Sequence, residues 1–209
     1  MVVGRNAGRE VLLDPDIIRA AAKSDNPDGM RVLGFDCSSK TVGWGFVVKD
    51  AKGILHLMAH GHIRPLSSKS SLMMRLSDLY DKVEDLCRKL DPHVIAVEDI
   101  ALFMKGGGST AKTITTLAVF NRIVALAGFR YAGSVEFYPV QSVRKLVRQA
   151  ASRKKVIGKE EMPFMIRSHL EPRFSYVEKR GGGTAEQTFD EADGIAVAWA
   201  HAHAHDKKK

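Results

Sequence analysis

Cysteine is nearly absent from this chain. Its two thiols, Cys37 and Cys87, show neither a metal-ligand spacing nor a disulfide pattern, which excludes a disulfide-stapled fold and suits a reducing compartment. No apolar run reaches the roughly 18 to 20 residues of a membrane span. The N-terminus lacks the charged-then-apolar order of a signal peptide, and Glu10, Asp14, Asp16, Asp25 and Asp28 argue against a transit peptide. Internal repeats and a dividing linker are missing too, and 209 residues suffice for one good core. A P-loop reading is weak, because Gly107-Gly108-Ser109-Thr110-Ala111-Lys112-Thr113 has no glycine immediately before the lysine. These absences predict a soluble, cytoplasmic protein with no membrane association and no small-molecule cofactor.

Positive charge is plentiful and uneven. Residues 144–180 hold eleven Lys and Arg against four acids, a local balance of +7 within a net charge of +8. An excess of that size in one segment is the footprint expected for a polyanionic partner, most simply nucleic acid.

The hydrophobic pattern orders the elements. Residues 1–30 read as an extension, with a short helix after Pro15 ended by the Asn26-Pro27-Asp28-Gly29 turn. Arg31 to Asp36, Val42 to Val48 and Ile54 to Ile63 read as strands in an antiparallel meander, with Asp50-Ala51-Lys52-Gly53 as one hairpin. Leu72, Leu76, Leu79, Val83, Leu86 and Leu90 then recur at helical spacing up to Asp91-Pro92. His93 to Val97 is apolar on both faces and reads as a central parallel strand. Further elements follow: a helix over Ser109 to Ala127, a short strand over Val135 to Tyr138, a helix after Pro139, another over Glu160 to Leu170, and a closing helix from Phe189 to about His203. The 171–186 stretch reads as a long loop and 206–209 as a basic tail. This order predicts one α/β domain over residues 31–205, a five-stranded mixed sheet flanked by helices.

Three acidic places punctuate that pattern. Asp36 ends the first strand, where a carboxylate either caps the following turn or faces a cleft with a cation. Glu98 and Asp99 end the fourth strand, and spacing alone favours neither. Asp190 and Asp193 share one face of the closing helix, whereas Glu191 falls on another. Singly, each acid has an ordinary structural use, as a surface residue or as a helix N-terminal acid favoured by the dipole. Together, with a basic segment between them, they predict hard-ligand metal chemistry on nucleic acid, with two Mg²⁺ or Mn²⁺ ions per site.

At this point the residues resemble a family. RVLGFDCSSKTVGWGFV is similar to the opening strand and hairpin of RuvC-type Holliday-junction resolvases, which read roughly I-L-G-I-D-P-G-S-x-x-x-G-[YW]-G. HVIAVEDIALFMKGGGSTAKTI resembles their second acidic strand, loop and helix, and FDEADGIAVAWAHAH resembles their closing helix with its D-A-A-D-A-L-A-I-A pattern. The resemblance implies an RNase H-like fold, a homodimer, and paired incision of branched, four-way DNA by metal-activated water. It places Asp36, Glu98, Asp190 and Asp193 on the four catalytic, metal-binding acids and so selects Glu98 over Asp99. It implies that Phe103 wedges or stacks against the opened junction, and that Arg144, Lys145, Lys154, Lys155 and Lys159 grip the DNA backbone. Cys37 and Ser38 replace the usual Pro-Gly, and the N-terminal extension and the Pro172 to Glu186 loop are additional. These departures fit a phage or otherwise divergent member.

Rival readings are weaker. Actin-like sugar kinases and chaperone ATPases share the Asp36 hairpin but need two such domains. His201, His203 and His205 suit a helix C-terminus without any metal. A DNA-architectural protein would gain from losing four acids near DNA. An RNase H-type or broader debranching nuclease uses the same acids and stays open.

Overall fold

The computed structural model describes residues 11–12, 29–100, 110–155, 157–172, 174 and 184–205. Six strands are present among them: β1 (Val11–Leu12), β2 (Met30–Cys37), β3 (Val42–Lys49), β4 (Leu55–Ile63), β5 (Val94–Asp99) and β6 (Val135–Pro139). The helices are α1 (Leu72–Leu90), α2 (Ala111–Ala132), α3 (Val140–Ala150), α4 (Met162–His169) and α5 (Glu186–Ala204), with a 3-10 turn at Lys159–Glu161.

The sheet order is β1-β4-β3-β2-β5-β6. β2, β3 and β4 form the expected antiparallel meander, and β5 runs parallel to both β2 and β6. The five-stranded expectation gains a sixth strand. Val11–Leu12, drawn from the N-terminal extension, pairs antiparallel with Ala59 and His60 of β4 and covers an edge that would otherwise offer unpaired backbone groups. The short helix expected after Pro15 lies outside the described residues.

Alternation along the strands sends side chains to two cores. Leu33, Phe35, Trp44, Phe46, Ile95 and Val97 pack under α1 and α2 with Leu79, Val83, Phe120 and Val124. Val32, Val47, Leu57 and Ala96 pack under α3, α4 and α5 with Val147, Met165, Ile195 and Trp199. Ser71 and Thr110 cap α1 and α2, each accepting a hydrogen bond from the backbone N–H three residues on. Asp91 ends α1 in the left-handed region at φ 48° and is held by Arg31, whose Nη2 lies 2.6 Å from its Oδ2.

Two expectations shift in this structure. α5 begins at Glu186 and not at Phe189, so Asp190 and Asp193 sit beyond the first turn, where the helix dipole offers them little. α2 is long and apolar enough in composition to cross a membrane, yet it packs on α1 and β5, and only 33% of its most apolar stretch is buried. Leu126, Phe129 and Tyr131 on it face outward.

Candidate active site

The turn after Asp36 is closed by Ser38. Its Oγ accepts from the N–H groups of Lys40 and Thr41 at 3.2 and 3.0 Å and donates to the Thr41 carbonyl at 2.8 Å. Arg75 reaches the Ser39 carbonyl from α1. Capping is thus done without Asp36, whose carboxyl lies instead among other acids.

Register then brings the second acid beside the first. Phe35 pairs with Val97 in the parallel β2/β5 ladder, so Asp36 and Glu98 are the next residues on each strand. Both share the parity of Gly34 and Ala96, the side covered by α5. Asp99 has the opposite parity and meets Arg122 of α2, Nη2 to Oδ1 3.2 Å. The strand pleat alone separates the two neighbours. Glu98 is further anchored through its backbone: the buried Asn121 donates from Nδ2 to the Glu98 carbonyl at 2.8 Å and accepts from Arg122 at 2.8 Å.

α5 brings the other pair because glycine lets it lie directly on β3. A Cβ at Gly43 would collide with the Asp190 carbonyl, and one at Gly194 would fall 2.6 Å from the Trp44 backbone. Such contacts require bare backbone on both sides.

The resulting electrostatics identify one cluster. Burial, then Glu98 and Asp193, then Asp190, hold the Asp36 carboxyl well above the usual range. Burial and the Asp193 charge push Glu98 up to about 7. Burial pushes Asp193 up to about 6 against the pull of Lys159 and Arg144, and burial also raises Asp190. Lys159 Nζ lies 3.5 Å from Asp193 Oδ2. Burial works against its ammonium, but Asp193, Asp36 and Asp190 outweigh that and raise it.

A set of carboxylates that disfavour one another's ionisation, with hard oxygen donors and no thiolate or imidazole in the set, suits a hard divalent cation and not a soft metal. Among the described residues no group of three or more His, Cys, Asp or Glu side chains is placed to hold an ion.

Of the expected basic residues, Lys159 and Arg144 reach the acids electrostatically. Arg144 and Lys145 also line a hollow of about 280 Å³ with Gln141 and Arg148. Lys154 and Lys155 are exposed in the turn that follows α3, with no described contact to the acids. Phe103 lies outside the described residues.

Several residues escaped the sequence reading. A second hollow, of about 540 Å³, borders Asp190 and is lined by Lys40, Thr41, Arg64, Ala185, Glu186 and Gln187. Glu191 is buried and accepts from His60 and His62 at 2.9 and 2.8 Å. Burial alone would raise its carboxyl, but those two hydrogen bonds outweigh it and hold the group below the usual range. Its helical face does differ from that of Asp190 and Asp193, as the spacing said. The available signal was the His-x-His alternation on β4, which puts both rings on one side of the sheet.

Comparison with known proteins gives this geometry its relatives. A curated crossover junction endodeoxyribonuclease RuvC from Chloroflexus aggregans is 31% identical over 83% of this chain and 93% of its own length. One from Rubrobacter xylanophilus is 30% identical over 83% and 86%. Among solved structures, Thermus thermophilus RuvC in complex with Holliday junction substrate superposes with a TM-score of 0.63 at 22% identity, covering 85% of this chain and 96% of that one. The yeast mitochondrial Holliday junction resolvase superposes at 0.57 and 16% identity, over 92% and 88%. These structures share the fold, RNase H-like as the resemblance implied. The family model described as crossover junction endodeoxyribonuclease RuvC matches residues 32–201, a span that holds all four clustered carboxylates, and the chain belongs to that family.

Proposed function

We propose that this protein is a structure-specific endodeoxyribonuclease that resolves four-way (Holliday) DNA junctions by metal-dependent phosphodiester hydrolysis, acting as a homodimer with two Mg²⁺ or Mn²⁺ ions per active site. The observation that carries the reading is the convergence of Asp36, Glu98, Asp190 and Asp193, from two parallel strands and one helix, beside Lys159 and Arg144. Membership of the crossover junction endodeoxyribonuclease family supports the substrate, as does the structural relative held with a Holliday junction.

In this reading the four carboxylates hold the ions, which when bound supply an activated water and stabilise the leaving oxygen. Lys159 and Arg144 offset the negative charge that would otherwise repel a phosphodiester from the site. Lys145, Lys154 and Lys155 extend the basic surface along α3 and its following turn, positioning the backbone without reading sequence. Phe103 stacks on the opened junction. One chain has one such site, whereas symmetric incision needs two, and the outward Leu126, Phe129 and Tyr131 of α2 give a second copy an apolar face to cover.

The test is cleavage of labelled four-way junction, Y-fork, plain duplex and RNA/DNA hybrid in Mg²⁺, by wild type and Asp36→Asn. The expected result is symmetric junction incision that chelation with EDTA or Asp36→Asn abolishes while junction binding persists. Equal cutting of plain duplex would sink the junction assignment. Preferential cutting of forks or of hybrid would favour a broader debranching or RNase H-type activity at the same acids.

A further inference from the structure

Glu191 lies between Asp190 and Asp193, and the hydrolysis proposed above leaves it unused. Its side chain is 7% exposed, and both carboxylate oxygens are taken: Oε2 by His60 Nδ1 at 2.9 Å and Oε1 by His62 Nδ1 at 2.8 Å. The two imidazoles are as deeply buried as the acid, at 6% and 7%. Phe174 closes over the His60 ring with centroids 5.0 Å apart. A buried carboxylate with two buried rings is a costly way to fill space, because each polar group must find its partner.

Position explains the expense. His60 pairs with Gly45 and His62 with Gly43 across the β3/β4 ladder, and these are the glycines on which α5 rests. The large buried apolar side chains of α5, Ile195, Val197 and Trp199, lie C-terminal to the acids, whereas around Asp190 and Asp193 the helix buries only Thr188, Glu191, Ala192 and Gly194 and rests backbone to backbone on the glycine floor. The N-terminus gives little help, since Ala185, the N-cap of α5, offers no side-chain cap. We infer that Glu191, gripped by His60 and His62, is a positioning residue that sets the rotation of α5 and thereby aims Asp190 and Asp193 at Asp36 and Glu98. Successive helical residues are offset by about 100°, so a fixed bearing for Glu191 fixes those of Asp190, one residue before it, and Asp193, two residues after it. A turn of about 20° would carry a carboxylate some ~5 Å from the axis through about 2 Å, whereas a metal site tolerates about 0.2 Å.

This inference rests on the nuclease reading, and its test separates the two. Full-length wild type, Glu191→Ala, Glu191→Gln, His62→Ala and the Glu191→Ala/His62→Ala double variant are compared in three measurements. These are Mn²⁺ binding without DNA by electron paramagnetic resonance, single-turnover junction cleavage, and junction affinity in EDTA. Glu191→Ala is expected to weaken Mn²⁺ binding and slow cleavage about 10- to 100-fold, with junction affinity unchanged. Glu191→Gln, which still offers an acceptor and a donor to the two rings, recovers most of both. The double variant falls no further than Glu191→Ala, because both changes open one clamp. Unchanged Mn²⁺ affinity in Glu191→Ala, equal losses in Gln and Ala, or additive losses in the double variant would each overturn the inference. So would a lower melting temperature with metal binding intact. If Glu191→Ala does not fold, His62→Ala and Glu191→Gln carry the same comparison. A wild type that cuts no junction would refute the nuclease reading, and Mn²⁺ affinity alone would then decide the positioning role.

Discussion

Ser38 closes the turn after β2, so the carboxylate of Asp36 faces Glu98, Asp190 and Asp193 with nothing of the turn to hold it. The cluster works against the metal-free fold. Glu98 at about 7 and Asp193 at about 6 lie above the roughly 4 of an unfolded carboxyl. Between those limits the folded chain binds more protons than the unfolded one, so its stability falls as pH rises from about 4 to about 7. In EDTA the melting temperature should therefore be lower at about pH 7.5 than at about pH 5.5. Glu98→Gln should raise it at the higher pH and flatten the slope while abolishing cleavage. A melting temperature that climbs with pH across that window would contradict the clustering. The identity of these acids was legible because a carboxylate ending an apolar strand is conspicuous. The choice of Glu98 over Asp99 came from the family pattern, and the pleat supplies its cause: one faces α5, and the other pairs with Arg122.

α5 is placed by what β3 lacks. Gly43 and Gly45 fall inside the Val42 to Val48 strand of the sequence reading, and in the fold they form the floor under Asp190 and Ile195. Gly43→Ala would drive a methyl into the Asp190 carbonyl, and overpacking of that kind costs about 1–3 kcal/mol. The melting temperature should drop by several degrees and junction cleavage by at least tenfold, since α5 must lift with both of its acids. Calorimetry and single-turnover rates check this, and a variant as stable and as active as wild type would refute the close contact. The start of α5 was misplaced by three residues because Ala185 carries no capping side chain to announce it. The Glu191 clamp was out of reach for a different reason. Its partners are 131 and 129 residues away in sequence, and no local spacing relates a strand to a helix that distant.

At the scale of the molecule, a basic segment and one apolar face of α2 stand exposed among the described residues. Leu126 and Phe129 are 50% and 53% exposed on α2. Replacing both with Glu should turn the proposed dimer into a monomer by light scattering and convert paired incision into single nicks, while Mn²⁺ binding stays unchanged. A variant that remains dimeric would move the interface elsewhere. Junction affinity should fall steeply with salt, as binding through phosphate contacts does.

The sequence by itself determined the order of strands and helices, the three acidic places and the basic segment, because periodicity, turn residues and charge are local properties. Only the tertiary structure decided that Ser38 and not Asp36 serves the turn, that the N-terminal extension lends the sheet an edge strand, and that Glu191 belongs with His60 and His62. Those outcomes depend on which backbones come to lie side by side, and glycine on β3 settles that by absence, admitting α5 to a depth at which distant carboxylates share one site.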